Sequence, residues 1–443
     1  MKITLIEPAM IKNSGFSEKP SWVLQPLTLA TLAGLTPSSV EVRALDDRIE
    51  PINYDEPRDL VGISVKTFTA RRAYQIADEF RRRGVPVILG GHHPTLLPQE
   101  AAQRADSILI GEAEGVWPDV IADAGRRQLK PFYRQRTTLP FENIRVNRSV
   151  FAGKKYLPIA MVETTRGCPF SCNFCSVTTF FGRGFRHRPP AEVVAEVASL
   201  NQKFVFFVDD NIVADKEAAK TLFRALIPLK IRWISQASLT MTKDLELMRL
   251  MRDSGCAGVL VGIESISRNN LKQLHKSWNT VGIGYDHALK ISRDHGIAIV
   301  GSFILGMDDD TPEALDDVLE FAVRQKLFSV LFNVLTPYPG TDLYQQFLEQ
   351  ERLTRPQWWL DPDYTYGSAV FQPKRISAEA LAQKRLAMYR EFYGPRSILK
   401  RLWEPLANAR DLWHAFTFLT MNLPADKEER MRFGKALGGD ATS

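Results

Sequence analysis

Cys168-Pro169-Phe170-Ser171-Cys172-Asn173-Phe174-Cys175 holds three of the chain's four cysteines within eight residues, shortly after the apolar run Ile159-Ala160-Met161-Val162. Thiolates at this spacing can converge on one centre, and thiolate ligands favour iron–sulfur clusters or zinc. A structural zinc takes four protein ligands, and no fourth cysteine lies nearby in the sequence. A four-iron cluster held by three cysteines would keep one iron free of protein ligands, open to chemistry.

Downstream of the motif, strand and helix alternate about six times. Strands are expected at Phe204 to Val208, Arg232 to Ala237, Gly258 to Gly262, Ala298 to Ile304 and Ser329 to Leu335. Helices fall between them, for example Pro190 to Leu200, where Pro-Pro suits a helix start, and Thr311 to Arg324. This rhythm predicts a full or partial α/β barrel over residues 159–350, with its site at the strand carboxyl ends. Several strand ends carry polar groups: Asp209-Asp210-Asn211, Ser235-Gln236-Ala237 and Gly262-Ile263-Glu264-Ser265.

Upstream, residues 1–135 show a second alternating series. Leu27 to Leu35 reads as helix, Val40 to Leu45 and Leu60 to Val65 as strands, Ala70 to Arg83 as helix, Val85 to Leu89 and Ser107 to Ile110 as strands. The pattern predicts a Rossmann-like parallel sheet with helices on both faces, whose ligands sit at the strand carboxyl ends. Those ends are Ser64, the loop Gly90-Gly91-His92-His93-Pro94-Thr95, and Gly111-Glu112. Paired glycines let backbone approach a bulky ligand. Residues 136–158, rich in Arg, Asn, Lys and Pro, suit a linker.

The cysteine spacing matches Cys-x-x-x-Cys-x-x-Cys, and the chain resembles the radical S-adenosylmethionine (SAM) family at Cys168, Cys172 and Cys175. The resemblance implies a [4Fe-4S] cluster on these residues, Phe174 against the cofactor's adenine, and cofactor contacts from Asp210, Gln236 and Glu264. Asp209 and Ser265 are read equally well as helix caps. The loop Thr336-Pro337-Tyr338-Pro339-Gly340-Thr341 resembles the family's last barrel loop and would face substrate. No catalytic residue is assigned.

The first 135 residues resemble the cobalamin-binding fold, whose pattern has Asp-x-His-x-x-Gly, then Ser-x-Leu, then Gly-Gly. Ser64-Val65-Lys66 and Gly90-Gly91 stand at the second and third elements, which implies cobalamin contacts from Ser64, Gly90 and Gly91. The first element is missing, because the loop from Ala9 to Pro26 holds no histidine. The resemblance then implies cobalamin without the usual lower-face imidazole; His92 and His93 are neighbours, not assigned ligands.

Residues 351–443 are compositionally distinct, with Trp358-Trp359 and expected helices at Ala378 to Phe392 and Ser397 to Leu423; Gly434 to Ser443 are expected to fray. This mostly helical extension resembles the branch that includes hopanoid methylases. An amphipathic helix of this kind usually packs on its own domain, with peripheral membrane contact or a lipid-like substrate as the alternative.

Composition sets outer limits. The net charge is +6 with short basic clusters such as Arg81-Arg82-Arg83, a distribution that leaves nucleic acid binding open without pointing to it. Four cysteines, with Cys256 isolated beside an apolar run where a small buried thiol is expected, exclude a secreted disulfide framework. With no signal-like or membrane-spanning run, a cytoplasmic location is expected. The resemblance as a whole implies a cobalamin-dependent methyltransferase that generates a deoxyadenosyl radical and methylates an unactivated carbon of a small or lipid-like substrate. It would draw electrons from a donor such as flavodoxin or ferredoxin. Radical ring formation, ring contraction or carbon–carbon coupling is the second reading, and a cobalamin or metal sensor without turnover the third.

Overall fold

The structure, a computed structural model, describes residues 1–12, 23–135, 137–280 and 282–439. Its N-terminal part contains β1 (Lys2–Glu7), β2 (Ile11–Lys12), β3 (Glu41–Asp46), β4 (Leu60–Ser64), β5 (Val87–Gly90), β6 (Ser107–Ile110) and β7 (Phe132–Arg134). Six of these form one sheet in the order β3-β1-β4-β5-β6-β7, every pair parallel. Every residue of β4 and β6 is buried, as required of strands covered on both faces. The helices Leu27–Leu35 and Trp117–Gly125 cover one face; Ala70–Arg82 and Pro98–Ala102 cover the other. The chain leaves β1 towards β3 and returns on the opposite side at β4, so a topological switch opens a crevice beside Glu7 and Ser64.

The second part contains β8 (Ala160–Val162), β9 (Thr165–Arg166), β10 (Arg186–His187), β11 (Phe204–Phe207), β12 (Arg232–Ala237), β13 (Cys256–Glu264), β14 (Ala298–Leu305) and β15 (Ser329–Val334). Its parallel sheet runs β8-β11-β12-β13-β14-β15, in chain order with the β9–β10 pair set apart, which is the series of a partial (β/α)6 barrel. Burial alternates along β12 and β14. Trp233, Phe303 and Phe332 thus face the helices, while Gln236, Ser302 and Asn333 point to the opposite, inner side.

The segment 136–158 packs against the first part rather than spanning free space. Among its described residues, Asn147 N donates to Ala30 O, and Phe141 and Phe151 are buried. Trp358 and Trp359 join the core of the first sheet, whereas Phe371, Leu381 and Met388 join the barrel core. The C-terminal region therefore fastens the two halves to each other.

Two expectations there are corrected. The single helix expected over Ser397 to Leu423 is two, Pro395–Leu402 and Leu412–Asn422. Pro405 lacks a donor, Asn408 Nδ2 takes the Arg401 carbonyl at 2.8 Å, and Asp411 caps the second helix by accepting from His414 N. The end of the chain, expected to fray from Gly434, instead forms β16 (Gly438–Gly439), which pairs with β2, with Leu437 buried; the remainder of that expectation, 440–443, lies outside the described residues. No described helix is long and apolar enough to cross a membrane, although Trp403 and Leu412 are 83% and 90% exposed.

Candidate active site

The cysteine loop begins where β8 ends and is held at its base by the antiparallel pair β9–β10. Gly167 adopts φ +86°, and a Cβ there would lie 2.1 Å from the Gly184 carbonyl oxygen, so only glycine lets the two sides of the clasp meet. Within the loop, Cys175 N donates to Cys172 O, and Asn173 Nδ2 donates to Gln273 O at 2.8 Å. Phe170 stacks on Trp278 with ring centroids 3.7 Å apart. The three thiols are free and partly to fully buried. Burial pushes each thiol's pKa up, that of Cys172 to about 12, and the neighbouring cysteines and acids raise it further. Such a set gives up its protons only to a strongly positive centre.

Among the described residues, no three His, Cys, Asp or Glu side chains close around one ion-sized point. The fit to a cluster therefore rests on donor chemistry: three soft thiols on one pinned loop. Cys256 is remote from it in role, fully buried with Sγ 3.8 Å from Gly258 O, the small buried thiol expected.

Beside the loop lies a cavity of about 360 Å³ bordered by Phe174, Glu264, Ser302, Asn333 and Tyr338. Glu264 sits at a register shift at the end of β13 with φ +61°, a conformation that is uncommon outside glycine and worth noting at a strand end. Its carboxylate accepts from Lys276 Nζ at 2.6 Å. A Cβ on Gly262 would fall 2.2 Å from Glu264 Oε1, so glycine makes room for this pair.

Asp209 is fully committed. Its carboxylate accepts from Thr164 N, Thr165 N and Thr164 Oγ1 at 2.5–2.8 Å, tying β11 to the root of the cysteine loop. Burial pushes its pKa up to about 7 against those three donors. In Asp209→Ala all three donors would lose their acceptor. The loss is expected to be about 2 kcal/mol, read as a lower urea midpoint; an unchanged midpoint would show the three bonds to be dispensable.

Ser265 is likewise structural, accepting from Ser267 N and Asn270 Nδ2. Asp210 is half-buried, its carboxyl pushed up to about 6 by burial and by Glu163. Gln236 is half-buried on β12 beside Leu260. Neither Asp210 nor Gln236 borders the 360 Å³ cavity.

A larger cleft, about 730 Å³, opens above the switch point of the first sheet. Ser64, Gly90 and Gly91 line one wall; Met161, Glu163, Arg166, Ser176 and Phe180, from the barrel and the cysteine loop's helix, line the other. Gly91 has φ +98°, and a Cβ there would press on Val65 backbone at 3.1 Å; Gly111, at φ +85°, also lines the cleft and would meet nothing within 4 Å. The backbone is thus bare towards the cleft, which suits close approach of a bulky ring.

His92 stacks on Phe180 at 4.9 Å and its Nε2 lies 3.0 Å from Ser176 O, and burial pushes its pKa down. Facing a carbonyl oxygen, Nε2 acts as the donor and couples the first sheet to the cysteine loop's helix. His93 is buried against Glu100 and Thr67. The loop Ala9 to Pro26 falls largely on residues 13–22, outside the described residues.

Sequence reasoning missed an ion network between the two walls: Arg166 binds Glu163, Glu112 and Glu114, and Arg186 binds Glu112. It also missed Arg385, which borders the smaller cavity from the C-terminal helix Ala378–Phe392. No local pattern marks either. Tyr338, in the loop expected to face substrate, borders both cavities.

Comparison with known proteins agrees with this layout. The model of the radical SAM superfamily matches residues 162–322, and that of the B12 binding domain matches residues 10–121. Bacteriochlorophyllide d C-12(1)-methyltransferase of Chlorobaculum tepidum is 31% identical over 393 residues, covering 86% of this chain and 85% of that one. The C-8(2)-methyltransferase of the same organism is 31% identical, covering 86% and 88%. Hopanoid C-2 methylase of Rhodopseudomonas palustris is 25% identical, covering 74% and 65%. The methyltransferase TsrM of Kitasatospora setae, solved with cobalamin and a [4Fe-4S] cluster bound, shares the fold at a TM-score of 0.62 and 18% identity, covering 88% of this chain and 85% of that one.

Proposed function

This chain belongs to the cobalamin-dependent radical SAM methyltransferase family, and we propose that it methylates an unactivated carbon of a large, mainly apolar ring system. Two relatives act, by their names, on bacteriochlorophyllide d and a third on a hopanoid, which supports that substrate class. When bound, the cluster supplies the electron that splits SAM, and cobalamin supplies the methyl group.

Cys168, Cys172 and Cys175 would hold the cluster; Phe174, Asp210, Gln236 and Glu264 would hold SAM; Ser64, Gly90 and Gly91 would cradle cobalamin. The observation that carries the reading is the shared border of the two cavities at Tyr338. One ring there separates a cleft built on the cobalamin-type sheet from a chamber built on the cysteine loop and barrel. Both volumes are in the usual range of ligand sites, roughly 300–1,000 Å³. A substrate carbon held beside Tyr338 would stand between the two cofactors. The reducing electron would come from a small carrier of flavodoxin or ferredoxin type.

The test is an anaerobic incubation of the reconstituted protein with methyl-deuterated SAM and candidate ring substrates, read by mass spectrometry. Deuterated methyl in the product together with deoxyadenosine is the expected result. Deoxyadenosine without label transfer would move the protein to ring-forming or coupling chemistry, and neither product would leave only a sensor.

A further inference from the structure

The helices Pro395–Leu402 and Leu412–Asn422 touch each other and share one apolar cluster, in which Ile398 and Phe418 meet Phe328. Their inward residues recur at helical spacing: Ser397, Ile398 and Arg401 on the first, His414, Phe418 and Asn422 on the second. Arg401 Nη1 donates to Asn422 Oδ1 at 2.9 Å, which ties the two inner faces together. The faces turned away from the cluster therefore lie on the outside of one layer.

That outer surface is apolar where a helix facing water turns charged residues outward. No Asp, Glu, Lys or Arg occurs from Leu412 to Leu423. Leu412, Phe416 and Leu423, at i, i+4 and i+11, form one exposed stripe. On the first helix Leu399 and Trp403 are exposed beside Arg396 and Lys400, and Leu406 carries the apolar stretch across the connection. A single exposed leucine needs no explanation, but six large apolar side chains on two packed helices and their connection mark a contact surface.

The free charges around this surface are of one sign. Arg396, Lys400 and Arg410 are exposed. The neighbouring acids are already engaged: Asp411 pairs with Arg232 at 3.3 Å and accepts from His414 N, and Glu404 is turned towards Arg293 and Lys326. A second copy of the chain docked here across a two-fold axis would bring the three cations against their own kind. An anionic lipid surface meets both features, with phosphates for the cations and the acyl boundary for the apolar side chains.

The position of the surface keeps it apart from the chemistry. Trp413 meets Phe204 edge-on at 5.3 Å between centroids, and the Arg232 guanidinium lies 4.4 Å from the Trp413 ring centroid. Phe204 and Arg232 are the first residues of β11 and β12, whereas Glu264 ends β13 and Tyr338 follows β15. The helices thus cover the strand-start end of the barrel, and the two cavities belong to the opposite end.

We infer that these two helices seat the protein on an anionic lipid bilayer, with Trp403, Leu412 and Phe416 entering the boundary between headgroups and acyl chains and Arg396, Lys400 and Arg410 facing the phosphates. This goes beyond methyl transfer and does not depend on it.

The test is flotation of the full chain, reconstituted anaerobically, with vesicles of phosphatidylcholine alone or mixed in equal parts with phosphatidylglycerol. Partition onto the mixed vesicles should exceed that onto the neutral ones by at least ~10-fold, as expected of three basic residues at an anionic surface, and should fall at high salt. Leu412→Gln with Phe416→Gln should take binding to background while the melting temperature stays put, because both side chains face outward. Arg396→Gln with Lys400→Gln should erase most of the preference for the mixed vesicles and leave the fold intact. Absence of binding, equal binding to the two kinds of vesicle, or full binding by the Leu412→Gln, Phe416→Gln protein overturns the inference. So does a dimer in light scattering that the same pair of substitutions dissociates, because a second copy would then cover the surface.

Discussion

Cys172→Ala is expected to abolish the brown iron–sulfur absorbance after anaerobic reconstitution and to take deoxyadenosine formation to background. The reason is the donor count. Three thiols share the loop, and the fourth cysteine, Cys256, is sealed in the barrel core and bonded to Gly258 O, so no thiol can replace the one removed. The loop itself should survive the change. Its shape is fixed by the β9–β10 clasp, by Asn173 Nδ2 on Gln273 O and by the Phe170–Trp278 stack, none of which involves the Cys172 side chain. Circular dichroism should therefore be unaltered, and Cys256→Ala should keep full iron content. A Cys172→Ala protein with the wild-type visible spectrum would refute the cluster assignment.

How far the sequence could be read depends on whether the cause of a feature is local. The elements Leu27–Leu35, Ser107–Ile110 and Arg232–Ala237 match expectation to the residue, because apolar runs bounded by turn residues are enough to define a covered strand or helix. Phe132–Arg134 was not legible: it is a three-residue edge strand in which only Tyr133 points inward, too short for any period to show. The break between Pro395–Leu402 and Leu412–Asn422 could have been suspected from Pro405, but Asn408 capturing a carbonyl is a tertiary event.

The same distinction divides the site. The cysteine loop, Ser64, Gly90 and Gly91 stand out because spacing and strand ends are sequence properties. Asp209 looked as much like a cap as a ligand until Thr164 and Thr165, 45 and 44 residues earlier, were seen to donate to it. Arg385 and Arg166 look like ordinary charged residues, and only the folded chain shows what surrounds them.

Arg166→Ala should have the largest effect on the coupling of the two halves. The side chain is 10% exposed and bridges three carboxylates: Glu163 at 3.0 Å, Glu112 at 2.9 Å and Glu114 at 2.6 Å. Its guanidinium also lies 4.4 Å from the Phe141 ring centroid. Glu112 and Glu114 follow β6, whereas Glu163 and Arg166 lead into the cysteine loop, so the network spans the large cleft from wall to wall. Removing the arginine leaves three mostly buried acids facing one another, with Arg186 compensating only Glu112. Removing one partner of a buried ion pair destabilises by about 3–5 kcal/mol, and a loss of that order is expected here.

The sign with pH is fixed by Glu163, whose carboxyl is pushed above the usual range by burial and by Glu114 and Glu112, with Arg166 pulling it back. Without Arg166 the folded-state pKa rises further, so the folded variant binds protons more readily than the unfolded chain. Its stability is then greatest below the ordinary glutamate value and falls as pH rises through the raised one. The deficit of Arg166→Ala against the wild type should accordingly be larger at pH 8 than at pH 5. Arg166→Lys, a single ammonium where a planar fork met three acceptors, should fall between the two. Cobalamin retention after anaerobic gel filtration should follow the same ranking, since the cleft loses the side chain that ties Glu112 and Glu114 on one wall to Glu163 on the other. A variant that keeps wild-type stability and retains cobalamin at pH 8 would show that the Arg166 network is not what joins the two halves.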